Sequence, residues 1–146
     1  MKEENRAVEF LNKVYENSTM GEDSISMLSE KVEDGDMMSE LRYQHKEYSK
    51  ITNDTVSALA QEKALPKDKN PMAQMGLWSG VQMNTLTDRS KDKIAEMMIQ
   101  GSIMGVIDMT RTLKMYPDVD AKYRRIGENL IRLEENSSQR MKEYLG

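Results

Sequence analysis

The chain has 146 residues, of which 38% are apolar and 32% are charged, and its formal net charge is −4. This length predicts a single domain that covers residues 1–146. The sequence has no cysteine and one histidine, His45, which excludes disulfides, thiolate metal sites and a cysteine nucleophile and argues against a histidine-rich metal site. An acidic chain without a basic cluster also lacks the positive surface that nucleic-acid binding requires.

The first half of the chain has apolar residues at spacings of three and four, the pattern that is typical of amphipathic helices. This pattern predicts a first helix at about residues 3–31 and a second helix at about residues 37–64. The acidic turn at residues 33–36 separates them, and Asp36 is the predicted N-cap of the second helix. The segment 66–71 begins and ends with proline, which predicts a loop.

The second half of the chain predicts a third helix at about residues 72–115, which is either continuous or interrupted near residue 88. Pro117 ends this helix, and Asp118 is the predicted cap of a fourth helix at about residues 118–145. No segment shows the sustained alternation of apolar and polar residues that a half-buried strand needs. We therefore expect an all-α protein, an antiparallel four-helix bundle with up-down-up-down topology.

The third helix is predicted to have apolar residues on nearly all of its faces, and residues 97–107 contain no charge. Such a helix needs cover on more than one side, so we expect the chain to self-associate, most simply as a homodimer. Gly101 and Gly105 would let a second helix approach closely. Tryptophan and methionine are typical of interface cores, and the predicted interface residues are Met72, Met75, Trp78, Met83, Met98, Gly101 and Gly105.

Two alternatives to this interface stay open. Trp78 can instead plug one end of the bundle, within a single copy of the chain. The region 72–83 can also be the exposed surface of an adaptor that binds a different protein. Elsewhere, most of the 14 methionines fall on or beside the helical stripes, where a flexible thioether fills gaps between helices.

Polar residues interrupt the apolar stripes of the predicted helices. They are Asn17, Ser18, Ser24, Gln44, His45, Ser90, Asp108, Glu134 and Ser137. The segments 11–12, 20–25, 99–108, 134–135 and 141–145 resemble small uncharacterised bacterial proteins of the ferritin-like four-helix class. This resemblance implies a ferritin-like bundle. In ferritin-like carboxylate proteins, glutamates and Glu-x-x-His motifs surround a di-iron centre.

The sequence contains no Glu-x-x-His motif. Arg42 stands three residues before His45, and Ser137 follows Glu134 at the position of the imidazole. Because arginine cannot bind a metal cation and serine is a poor iron ligand, we expect no intact di-iron site, no cofactor and a non-enzymatic role. The alternative is a degenerate ferritin-like protein that binds one divalent metal ion near His45, Glu47, Glu96 and Glu134.

The first residues are charged and include no apolar segment of the kind that a secretory signal has. The longest uncharged run, residues 70–87, contains asparagine, glutamine and serine, whose desolvation disfavours insertion into a bilayer. We therefore expect a cytoplasmic protein that does not contact membranes and whose partner is a second copy of itself.

Overall fold

A computed structural model describes residues 6–67, 88 and 90–146. These residues form four α-helices, followed by a short 3-10 helix at Lys142–Tyr144, and no strand occurs among them. The bounds of the helices are Arg6–Ser29 for α1, Gly35–Gln61 for α2, Lys91–Met115 for α3 and Ala121–Met141 for α4. The predicted all-α class is confirmed for this part of the chain. Residues 72–87 and 89 of the predicted third helix lie outside the described residues.

Side chains that accept hydrogen bonds from backbone N–H groups begin α2, α3 and α4. Asp34, Ser90 and Asp120 accept these bonds at 2.9, 3.2 and 2.9 Å, respectively. Such caps satisfy donors that a helix leaves free in its first turn. The caps of α2 and α4 therefore differ by two residues from the predicted Asp36 and Asp118.

The contacts between the helices define their order around the bundle. α1 packs on α2 and α3, and α4 packs on the same two helices. α2 and α3 therefore occupy opposite corners, and the core lies where the four helices meet.

The directions of the helices follow from residues at their ends. Lys91, at the start of α3, lies 3.6 Å from the carboxylate of Asp34, at the start of α2, so these two helices run in the same direction. Arg6, at the start of α1, forms a 2.7 Å ion pair with Asp118, just beyond the end of α3, so α1 is antiparallel to α3. Arg140, near the end of α4, pairs at 2.7 Å with Glu40, near the start of α2.

The resulting order of directions is up, down, down, up, and the predicted up-down-up-down topology is wrong. The apolar periodicity of a helix specifies which face is buried, but it does not specify which neighbour covers that face. The long connection between residues 61 and 91 has enough residues to reach either end of the bundle.

The core is built from large side chains contributed by all four helices. Phe10 packs edge-on against Tyr116, with the ring centroids 6.0 Å apart, and links α1 to the turn that follows α3. Among the residues that the structure describes, five methionines are buried, namely Met37, Met97, Met98, Met109 and Met141. Their burial agrees with the predicted role of methionine as core filler. None of the described helices is long and apolar enough to cross a membrane.

Candidate functional site

A cavity of about 440 Å³, here called the central cavity, enters the bundle between α1 and α3. Its apolar walls include Met20, Ile25, Leu28, Met98, Met104 and Ile107. Its charged mouth is formed by Lys13, Glu16, Asp108 and Arg111. Six of the nine polar residues that interrupt the predicted stripes line it, namely Asn17, Ser24, Gln44, Asp108, Glu134 and Ser137. These six polar residues thus lie around one cavity, although helix periodicity alone does not show that they lie together.

Glu134 on α4 is the buried carboxyl group of the central cavity, with only 3% of the residue exposed. The hydroxyl of Tyr48 on α2 donates a hydrogen bond to its Oε2 atom at 3.1 Å, and its Oε1 atom has no hydrogen-bond partner. Burial raises the pKa of Glu134 well above its ordinary value, and the nearby charge of Asp108 adds to this, whereas the bond from Tyr48 lowers the pKa. The balance favours the neutral, protonated carboxyl.

Two glycines make room for this pair of side chains. A Cβ atom at Gly105 on α3 would overlap the carboxyl of Glu134, and a Cβ atom at Gly21 on α1 would overlap the ring of Tyr48. Each helix of the bundle therefore contributes one residue to the same contact. Glycine is destabilising inside a helix by about 1 kcal/mol relative to alanine, so a steric requirement explains its presence at both positions.

Asn17 on α1 also contacts Gly105. Its Nδ2 atom donates to the carbonyl oxygen of Gly105 at 3.2 Å, which orients the amide, and its Oδ1 atom is buried without a partner. In contrast, both polar atoms of the Gln44 side-chain amide have partners. Its oxygen accepts a hydrogen bond from the hydroxyl of Ser137, and its nitrogen donates one to Glu40 at 2.7 Å. Buried oxygens without partners cost about 1–3 kcal/mol each, so Asn17 and Glu134 present two unsatisfied groups at the cavity.

The four predicted metal ligands do not lie close together in the structure. Only Glu134 of the four lines the central cavity. His45 and Glu47 are half-buried on α2, and residues two apart on a helix do not face each other. Glu47 and Glu96 each pair with a lysine on their own helix, at 3.0 and 3.4 Å. Within residues 6–67, 88 and 90–146, no group of three or more histidine, aspartate and glutamate side chains is placed to hold a metal ion.

Four of the predicted interface residues, Met72, Met75, Trp78 and Met83, lie outside the described residues. Met98 and Gly101 line the central cavity, and Gly105 is buried against Glu134. The close approach expected at Gly105 is thus made by a side chain of α4 in the same chain. Ile103, Met104 and Ile107 of α3 are nevertheless each exposed by 46–49%, and the last two also line the central cavity.

Tyr48, Gly21 and Ser102 are site residues that the sequence did not single out. All three line the central cavity. A glycine within a helical pattern was the one available signal, because it often marks a position that needs close packing.

In comparisons with known proteins, no family model, no curated protein and no solved structure matches this chain. The described residues define the class as an all-α protein of four helices with a partly polar cavity at its centre.

Proposed function

We propose that this protein is a ferritin-like helical bundle that binds a small molecule in its central cavity. Ferritin-like folds are four-helix bundles with one long crossover connection. The shared direction of α2 and α3, together with the long connection between residues 61 and 91, supports this assignment.

The observation that carries the binding function is the presence of two unpartnered buried oxygens, Asn17 Oδ1 and Glu134 Oε1, in a cavity with apolar walls. Small-molecule sites commonly have volumes of about 300–1,000 Å³ and combine apolar walls with a few placed polar groups. The volume of about 440 Å³ lies in this range. We therefore assign the protein a binding role.

The test blocks the central cavity from the α1 side. Met20 is half-buried in the wall, and Met20→Trp would fill the space next to it. The matched control is Val56→Trp, at a 38% exposed position of α2 that does not line the cavity. With 2-phenylethanol as the probe, we expect a concentration-dependent rise of Tm for the wild type and for Val56→Trp, and none for Met20→Trp. An equal rise in all three proteins, or an unchanged Tm of the wild type with both 2-phenylethanol and 2-phenylethylamine, would reject the proposal.

A second candidate function is self-association through α3 as a homodimer. Exposed large apolar side chains that lie together mark interaction surfaces, and Ile103, Met104 and Ile107 form such a group. Glu96 and Arg111 lie on the same stripe of α3, at opposite ends of this group. An antiparallel contact between two copies, centred on residues 103 and 104, would place each Glu96 opposite an Arg111. This charge complementarity favours a second copy as the partner.

Sedimentation velocity at micromolar concentration tests the homodimer. We expect Ile103→Lys to be monomeric, because it places a charge at the centre of the contact. Val56→Lys, which alters an exposed apolar residue of α2, should remain dimeric like the wild type. A wild-type protein that is monomeric throughout the concentration range would exclude this candidate.

The alternative of one divalent metal ion stays a prediction that centres on Glu134. Elemental analysis of protein purified without chelator would test it. A stoichiometric metal in the wild type, absent from Glu134→Gln, would establish this alternative, and a metal-free wild type would reject it.

A further inference from the structure

We infer that the ligand of the central cavity is a primary amine, with its ammonium group between Glu134 and Asn17 and an apolar body against the walls. This inference rests on the proposed binding function and specifies the chemical class of the ligand. The two side chains flank Gly105, since Asn17 donates to its carbonyl oxygen at 3.2 Å and the carboxyl of Glu134 occupies the space of its missing Cβ atom.

The number of free acceptors determines the head group. Asn17 Oδ1 is an acceptor only, and Glu134 Oε1 becomes one when the carboxyl is ionised. A ligand that satisfies both oxygens needs at least two donor hydrogens on one head group. An ammonium group has three donors and no acceptor, whereas a hydroxyl group has a single donor.

The buried carboxyl at the cavity floor agrees with a cationic head. The charged and titratable residues that line the cavity with Glu134 are Lys13 and Glu16 from α1, Tyr48 from α2, and Asp108 and Arg111 from α3. The two acidic and two basic residues of the charged mouth balance, so the mouth itself favours neither sign of ligand. A buried ammonium needs a paired negative charge, and Glu134 is the lining carboxyl that lies at the cavity floor.

When the amine binds, its ammonium group therefore replaces the proton of Glu134 as the positive charge beside the carboxyl. Below the raised pKa of Glu134, the carboxyl releases its proton to solvent as the carboxylate pairs with the ammonium group. Affinity should then increase with pH until the free carboxyl or the ammonium group itself titrates. A neutral ligand would show no such dependence.

The experiment compares two probes that share a body and differ in the head group, 2-phenylethylamine and 2-phenylethanol, by isothermal titration calorimetry. We expect the amine to bind the wild type at least about tenfold more tightly than the alcohol, which corresponds to one charge-assisted hydrogen-bonded pair. Glu134→Gln should weaken amine binding at least about tenfold and alcohol binding by a smaller factor, so that the preference for the amine is lost. The control Glu128→Gln, at an exposed position of α4 outside the cavity, should bind both probes like the wild type.

The outcomes separate the two proposals. If both probes bind the wild type equally well, or if Glu134→Gln keeps the preference for the amine, the amine assignment is wrong and the binding function stands. If neither probe binds, both proposals fail. A measurement on the wild type alone adds an independent test, because titrations in buffers of different ionisation enthalpy report the proton released on binding. Amine binding that releases no proton at any pH between the titration of a free carboxyl and that of the amine would reject Glu134 as the counter-ion.

Discussion

The hydroxyl of Tyr48 on α2 donates a hydrogen bond of 3.1 Å to the carboxyl of Glu134 on α4, at the centre of the bundle. Both residues are less than 5% exposed, and burial is the main cause that raises the pKa of each well above its ordinary value. Gly21 and Gly105 leave the space that the pair occupies. The hydrogen bond between Tyr48 and Glu134 thus depends on residues of all four helices. Because the carboxyl of Glu134 is buried, its ionisation affects the stability of the fold.

Stability should fall with rising pH because of Glu134. Its pKa is raised in the folded state, so the folded protein binds the proton more tightly than the unfolded chain does. The free energy of unfolding should therefore decrease above the unfolded pKa of about 4.3, with a slope of at most about 1.4 kcal/mol per pH unit, until the folded pKa is reached. Glu134→Gln should remove this decrease. Urea denaturation at a series of pH values measures it, and parallel profiles of the two proteins would contradict the prediction.

Tyr48→Phe should destabilise the protein by about 1–2 kcal/mol, because it leaves the Oε2 atom of Glu134 without its hydrogen-bond donor. The bond from Tyr48 lowers the pKa of Glu134, so its loss should extend the decrease in stability to higher pH. Tyr43→Phe is the matched control on the same helix, at a position that is 45% exposed. Equal free energies of unfolding for the two variants would count against the role of this hydrogen bond.

Gly105→Ala should destabilise the protein by about 1–3 kcal/mol, because the added methyl group overlaps the carboxyl of Glu134. Helix propensity alone predicts the opposite sign, a gain of about 1 kcal/mol. Gly35→Ala serves as the control, since nothing lies within 4 Å of a Cβ atom there. In a double-mutant cycle, Glu134→Ala should relieve part of the loss. Stabilisation by Gly105→Ala would show that the packing at this position is looser than described.

Arg140→Ala should cost about 1–2 kcal/mol, and the loss should shrink as salt is added. Arg140 donates to both carboxylate oxygens of Glu40, at 2.9 and 2.7 Å, and the Glu40 side chain is only 9% exposed. Lys50→Ala removes the more exposed ion pair with Glu47 and should cost less than about 0.5 kcal/mol. Thermal denaturation at low and high salt compares the two variants. A similar loss in both would mean that the Arg140 pair contributes no more than an ordinary surface ion pair.

Prediction from the sequence succeeded where the information is local. The helices at about residues 3–31, 37–64 and 118–145 correspond to α1, α2 and α4, with ends that differ by a few residues. The predicted direction of the third helix was wrong, since Lys91 lies beside Asp34 at the start of α2. A stripe of apolar residues contains no information about the end of the bundle from which a helix begins.

The candidate site was predicted in part. The polar interruptions of the stripes supplied Asn17, Gln44 and Glu134, which line the central cavity. The predicted grouping of Glu134 with His45, Glu47 and Glu96 as metal ligands does not correspond to one place in the structure, because those three residues do not line the cavity. The sequence did not predict Tyr48 as a residue of the site, because its aromatic ring lies on the apolar stripe of the second helix like that of an ordinary core residue.

The sequence by itself determined that the protein is all-α and has no thiol chemistry, because helix periodicity and residue types are properties of neighbouring positions along the chain. Only the tertiary structure decided that Glu134 meets Tyr48, which is 86 residues away, in space that two glycines of other helices leave free. The pKa of that carboxyl depends on how completely the other helices remove it from water. This burial arises from the order and direction in which the helices pack, which no single helical stripe encodes.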